Sequence, residues 1–165
     1  MTFNDIDEIK KAGFTGFKKM RELFVDSSII PRTKGVYFVL NLDKRTPKFL
    51  TVGTGGHFKG KNPNVSISEL KANWIDKTIV VYIGKAGKEG SSATLYSRLK
   101  QYFGFGQGGN VGHWGGRLIW QLKNCNDLVV CWKALPREDP RNFEANFIKQ
   151  FVSKYSDRPF ANLAN

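Results

Sequence analysis

The sequence predicts an α+β domain in which a small mixed, mainly antiparallel sheet of three to four strands is flanked by helices. Three observations predict it. Runs rich in β-branched and aromatic residues occur at Gly35–Leu40, Thr78–Ile83 and Leu128–Leu135. Helical spacing of apolar residues marks Ala93–Phe103 and the segment after Asp139-Pro140. No internal repeat or linker-like change of composition separates the strands from the helices. With 165 residues, 41% of them hydrophobic and 13% aromatic, the chain is long enough for one real core and too short for two comfortable ones, so a single domain over 1–165 is expected.

Residues 4–25 carry Ile6, Ile9, Phe17, Met20 and Phe24 at helical spacing among lysines, with breaks near Gly13 and Gly16. They predict two short helices or one interrupted helix, within an N-terminal helical extension over 1–33. The strand Gly35–Leu40 is closed by the polar turn Asp43–Pro47, after which Lys48–Val52 is expected to return as the second strand of a hairpin. Gly53–Val65 reads as loop, and Ser66 or Ser68 as the cap of a helix through Trp74. Together these segments make an insertion over 42–77. After the strand Thr78–Ile83, the helix from Ala93 has Leu95, Leu99, Tyr102 and Phe103 at intervals of three and four and is expected to end at Gly104. The stretch Gly104–Gly116 contains seven glycines and reads as an irregular Gly-rich loop, 104–117. A short helix at Arg117–Leu122 and the strand Leu128–Leu135 follow. Asp139 as cap and Pro140 at the first helical position then start a helix that runs to about Tyr155.

A formal net charge of +12, from 26 basic and 14 acidic residues, favours a polyanionic partner, nucleic acid first. A generally basic surface with no specific partner is the alternative. The two cysteines, Cys125 and Cys131, make no disulfide framework, and with His57 and His113 they lack the paired spacing of a zinc site. No apolar stretch approaches the roughly 20 residues that span a bilayer. The acidic start at Asp5, Asp7 and Glu8 does not look like a signal peptide, so no membrane and a cytoplasmic location are expected.

Several residues carry chemistry. Arg98 and Tyr102 lie four apart and project from one helix face beside Leu95, where an arginine forms paired hydrogen bonds to a phosphate and offsets charge in a transition state. The alternative is a surface salt bridge. Glu144, with Phe147, Ile148 and Phe151 three, four and seven positions on, has its carboxylate beside the apolar face of its helix and needs a partner. A hard divalent cation is one candidate, and an ion pair with Lys or Arg across the interface is the other. Tyr37 and Tyr82 either fill a half-buried sheet or supply a phenol whose pKa, lowered near a metal and Lys85, lets it activate water. Tyr37 is the expected base. Lys85, in the turn after its strand, suits a phosphate contact or is merely solvated. Asn162 orients a ligand or water, or caps the last turn. In the Gly-rich loop, His113 and Arg117 are the expected nucleic-acid contacts beside Lys85 and Arg98, with His113 donating to a phosphate or leaving group.

Set side by side, Gly35-Val36-Tyr37 and Val81-Tyr82-Ile83-Gly84 resemble the two strand motifs of the GIY-YIG nuclease family. Lys85, Arg98, Tyr102, Glu144 and Pro159-Phe160-Ala161-Asn162 follow in the family's order. The run Val81–Phe103 is similar to the nuclease module of the bacterial excision-repair incision subunit, and in homing-type relatives a histidine takes the place of Tyr102. The resemblance covers roughly residues 34–162. It departs from the family at 38–81, a far longer connection between the two tyrosines than is usual.

The resemblance implies a metal-dependent endonuclease that hydrolyses DNA phosphodiester bonds, restriction-like or repair-associated, with RNA not excluded. It implies Tyr37, Tyr82, Lys85, Arg98, Tyr102, Glu144 and Asn162 as the catalytic set and Glu144 as the ligand of one Mg2+ or Mn2+ ion. A restriction-like enzyme would need two active sites and therefore a homodimer. The alternative expectation is a basic nucleic-acid-binding module with this fold and no catalytic turnover.

Overall fold

All six residues of the apolar run Gly35–Leu40 (β2) are buried, because the strand has a neighbour along each edge and a helical layer over each face. The computed structural model describes residues 1–163, so the expected domain end at 165 lies outside the described residues. Its single sheet has four antiparallel strands in the order β1-β4-β2-β3, with β1 Thr15–Lys19, β3 Val80–Ala86 and β4 Val129–Ala134. Tyr37 pairs with Gly84 on one side and with Trp132 on the other. The architecture is therefore the expected α+β fold with a sheet flanked by helices.

The pleat sends alternate side chains to opposite faces. Val36, Phe38 and Leu40 join Val80 and Ile83 in a core covered by α1 (Ile6–Lys11) and α5 (Pro140–Tyr155), which contribute Ile9, Phe147 and Phe151. Tyr37, Val39, Tyr82 and Trp132 face a second core under α4 (Leu95–Gly106), with Leu99, Tyr102 and Trp120. Both helices carry the caps that their sequences call for. Thr94 and Ser97 form a capping box at the start of α4, and the Asp139 side chain accepts from the Arg141 N–H ahead of Pro140. Two shorter helices, α2 (Met20–Val25) and α3 (Ile67–Asn73), complete the set, with Ser66 capping α3. Both cysteines are free and buried.

Four segments differ from expectation. Residues 15–19 form β1 instead of continuing a helix. Gly13 and Gly16 both have φ +94°, in the left-handed region that ends a helix, and the chain reverses there to pair with β4. Lys48–Val52 makes only an isolated bridge between Phe49 and Leu122, because β3 and β4 already occupy both edges of β2. The second strand motif runs from Val80 to Ala86, with Val81 as a bulge: Val39 pairs with Tyr82, and Leu40 with Val80. α4 also passes Gly104 and ends at Gly106.

The insertion 42–77 is tied to the body through Gln121, which lies in a 3-10 helix (Arg117–Gln121) and is 2% exposed. Its amide donates to Leu50 O at 3.0 Å and Val65 O at 2.9 Å, and its Oε1 accepts from Val65 N at 2.9 Å. Buried backbone groups left without partners cost about 1–3 kcal/mol each. Gln121→Ala is therefore expected to lower unfolding stability by about 3 kcal/mol, measured as an earlier urea midpoint at unchanged slope. A wild-type midpoint would contradict this role.

Candidate active site

The two strand motifs and α4 converge on one aromatic cluster. Tyr37 and Tyr82 lie edge to face with ring centroids 6.0 Å apart, and Tyr102 stands 6.3 Å from the first and 5.5 Å from the second. Gly84 is a glycine for a geometric reason: a Cβ there would come within 2.4 Å of Cζ of Tyr37. Gly116 plays the same part on the other side. It has φ +76°, and a Cβ would meet Tyr102 Oη at 2.5 Å and Tyr82 Cζ at 2.8 Å. Tyr102 Oη donates to the carbonyl of Gly116 at 2.6 Å.

His113 closes the cluster. Its ring stacks on Tyr102 at 4.0 Å with an interplanar angle of 6°. Nδ1 lies 2.8 Å from Gly115 O, which can only accept, so Nδ1 carries the proton and Nε2 accepts from Tyr37 Oη at 3.3 Å. Burial, and then the Arg98 charge, push the His113 pKa down to about 3, so the ring is neutral. The expectation of a loop histidine donating to a phosphate does not fit this placement, because His113 is 0% exposed and both ring nitrogens have protein partners.

Arg98 is half-buried one turn before Tyr102. Among the described residues it makes no ion pair; Nη1 donates only to Gln101 Oε1, at 3.3 Å. The surface salt bridge considered for it is absent there. Its charge instead acts on all three tyrosines, partly opposing the burial that raises their pKa values. Burial raises Tyr37 and Tyr102 well above the ordinary value, and burial followed by the Glu144 charge pushes Tyr82 up to about 12. The protein's own groups thus hold these phenols protonated, opposite to the lowering expected for Tyr37.

Lys85 and Glu144 occupy the face of the sheet beneath α5. Lys85 Nζ donates to Glu144 Oε2 at 2.7 Å, with side chains 37% and 19% exposed. The partner that the Glu144 carboxylate needed is therefore a lysine across the interface, one of the two alternatives. Its other oxygen accepts no hydrogen bond from the described residues. On β3, an edge strand, the Tyr82 phenol feels the charges of both Glu144 and Arg98. Asn162 lies along that edge, where its amide donates to Ile83 O and accepts from Ile83 N, both at 2.8 Å. It continues the sheet in place of a further strand.

From Lys85 and Glu144 an open groove runs along α5, lined also by Arg141, Lys149, Asp157 and Arg158. These three exposed cations were not singled out in the sequence. Arg141 and Lys149 sit eight apart on one helix face, a signal available from spacing alone. Arg117 stacks on Trp114, 4.4 Å from guanidinium carbon to ring centre.

Among the described residues no group of three or more His, Cys, Asp or Glu side chains comes together, so a protein-built metal cage is absent. The donor set still fits a hard cation that keeps most of its water: one carboxylate with an unengaged oxygen, open to a polar groove. Comparisons of the chain with family models, characterised proteins and solved structures returned no match. Among the described residues no helix is long and apolar enough to cross a membrane.

The neutral burial of His113 has a consequence for stability. The unfolded chain takes up the histidine proton near pH 6.5 and the folded one only near about 3, so the contribution is full above pH 6.5 and is lost as pH falls toward 3. Stability is expected to drop by up to about 1.4 kcal/mol per unit between pH 6 and 4.5, above the range where carboxylates titrate. Urea midpoints across that window should slope in the wild type and flatten in His113→Phe; equal slopes would contradict the assignment.

Proposed function

We propose that the chain is a metal-dependent endonuclease of the GIY-YIG type that hydrolyses phosphodiester bonds in DNA. The observation that carries this reading is Arg98, an arginine with no carboxylate partner among the described residues, whose charge acts on the clustered Tyr37, Tyr82 and Tyr102, while the charge of Glu144 reaches the same Tyr82. Motifs far apart in the chain thus meet at one place, on a protein of net charge +12.

A magnesium or manganese ion held by Glu144 would supply Lewis-acid polarisation of the scissile phosphate and a more acidic bound water. The chain's own groups do the rest. The unpaired guanidinium of Arg98 donates to non-bridging phosphate oxygens and offsets the charge that builds as the bond to phosphorus forms. Lys85 holds the Glu144 carboxylate in place through one N–H and offers its others to the substrate. We infer that Tyr82, 7% exposed and within the field of both Arg98 and Glu144, orients the attacking water through its hydroxyl oxygen, the water's proton leaving to bulk solvent. Tyr37 is 1% exposed with its hydroxyl given to His113, which suits it to supporting Tyr82. The groove past Arg141, Lys149 and Arg158 gives the strand a basic path to the site. Cutting both strands at one sequence would pair two copies of the chain.

A second reading has its own support. The Lys85–Glu144 ion pair and the strongly buried phenols also suit a nucleic-acid-binding module without turnover. Incubation with supercoiled plasmid separates the two. Under the nuclease reading, cleavage requires magnesium or manganese, and Glu144→Ala and Arg98→Ala each slow it by about 100- to 1,000-fold. Wild-type cleavage by Glu144→Ala would overturn the mechanism, whereas salt-sensitive binding with no cleavage under any divalent metal would establish the binding module.

A further inference from the structure

The insertion 42–77 and the Gly-rich loop, far apart in sequence, are one surface in the fold. Gly56 N donates to Phe105 O at 2.8 Å, and Thr54 N to Trp120 O at 3.1 Å. The two backbones touch so closely that a Cβ on Gly56 would stand 2.1 Å from Gly109 O, and one on Gly112 would stand 3.3 Å from the Phe58 ring. The glycines of the loop therefore serve contact with the insertion, whose exposed side chains include His57, Lys59 and Lys61.

Trp114 lies at the centre of this surface. Its neighbour His113 turns inward onto Tyr102 and Tyr37, while Trp114 itself remains half exposed. The Arg117 guanidinium stacks over the Trp114 ring at 4.4 Å, and Lys61 Nζ stands 5.9 Å from the same ring's centre. Lys59 lies 5.3 Å from the Phe58 ring centre. Arg117 is short of acceptors: its Nε is buried without a hydrogen-bond partner, and the guanidinium makes no ion pair among the described residues. The carboxylate whose charge acts on it is that of Glu69. A guanidinium braced on an aromatic face presents a planar fork of donors in a fixed orientation, the geometry that binds a phosphate through two oxygens. Cations distributed along the insertion suit an extended polyanion better than one small anion.

We propose that Arg117, braced by Trp114 and joined by Lys61, is a phosphate clamp that grips the nucleic-acid backbone beside the cleaved bond. The clamp deepens the nuclease reading and rests on it. It makes the insertion part of the substrate-binding surface, through contacts to the backbone that carry no base identity.

The test is fluorescence anisotropy of a labelled DNA duplex with the full chain, in calcium to hold turnover down, over a range of salt. Arg117→Ala and Lys61→Ala are each expected to weaken binding by about 10-fold and to lower the slope of log affinity against log salt by about 1. Arg117→Lys should recover only part of this, because the fork is lost, and Arg137→Ala, an exposed arginine outside the surface, should bind as the wild type does. Lys61 is exposed, so its variant reads the clamp even if Arg117→Ala folds poorly. Wild-type affinity and slope in both clamp variants, with DNA bound and plasmid cut normally by the wild type, would overturn the clamp and leave the nuclease reading intact. No binding of DNA or RNA by the wild type would overturn both.

Discussion

A Cβ at position 84 would stand 2.4 Å from Cζ of Tyr37, so the ring of the first strand motif can lie across the second only because the second ends in glycine. Much follows from that contact. With Tyr37 folded over Gly84, the pairing of β2 with β3 sets Tyr82 diagonally next to it, edge to face, and leaves room for Tyr102 from α4 to complete the cluster. A strand slipped by one residue would send Tyr37 into the opposite core, among Val36 and Phe38. The central place of β2 guards against such a slip, since its register is held from both sides.

The cluster is polar matter in a buried place, and the protein resolves this with hydrogen bonds. Tyr102 donates to Gly116 O, Tyr37 to His113, and His113 to Gly115 O, so the Gly-rich loop is the acceptor of last resort for the whole set. The chain keeps His113 neutral and its phenols protonated, and among the described residues it leaves Arg98 beside them with no carboxylate partner. A half-buried guanidinium beside neutral phenols, with its donors largely unengaged, is free to pair with something negative that arrives to meet it. On this account the arrangement is a receptor for a phosphate, completed from the other face of β3 by Lys85 and Glu144.

The parts of the fold that the sequence made legible are those with a strong local signal. β2, β4 and the second motif strand stood out as β-branched runs, α4 through its period, and α5 through its period and its cap at Asp139. β1 was hidden because Ile6, Ile9, Phe17, Met20 and Phe24 imitate a helical period, while the cause of the break, positive φ at Gly13 and Gly16, lies in the backbone. The site was legible as a set of candidates and not as an arrangement. Spacing showed that the Glu144 carboxylate needed a partner but could not show that Lys85, on another element, would supply it. The glycines around His113 read as open loop, whereas three aromatic rings and the insertion pack against that loop from the inside. Asn162 carried no sign that it would stand in for a strand at the edge of β3.

The central claim is that Arg98 and Glu144, on opposite faces of the sheet, act on one phosphate. The measurement that tests it most directly is a double-mutant cycle on the plasmid cleavage rate, comparing Arg98→Ala, Glu144→Ala and the two combined. Groups that serve one transition state are strongly non-additive, so the account predicts a double variant about as slow as the slower single one. A double variant slowed by the product of the two separate effects would show that they act independently and would contradict the account.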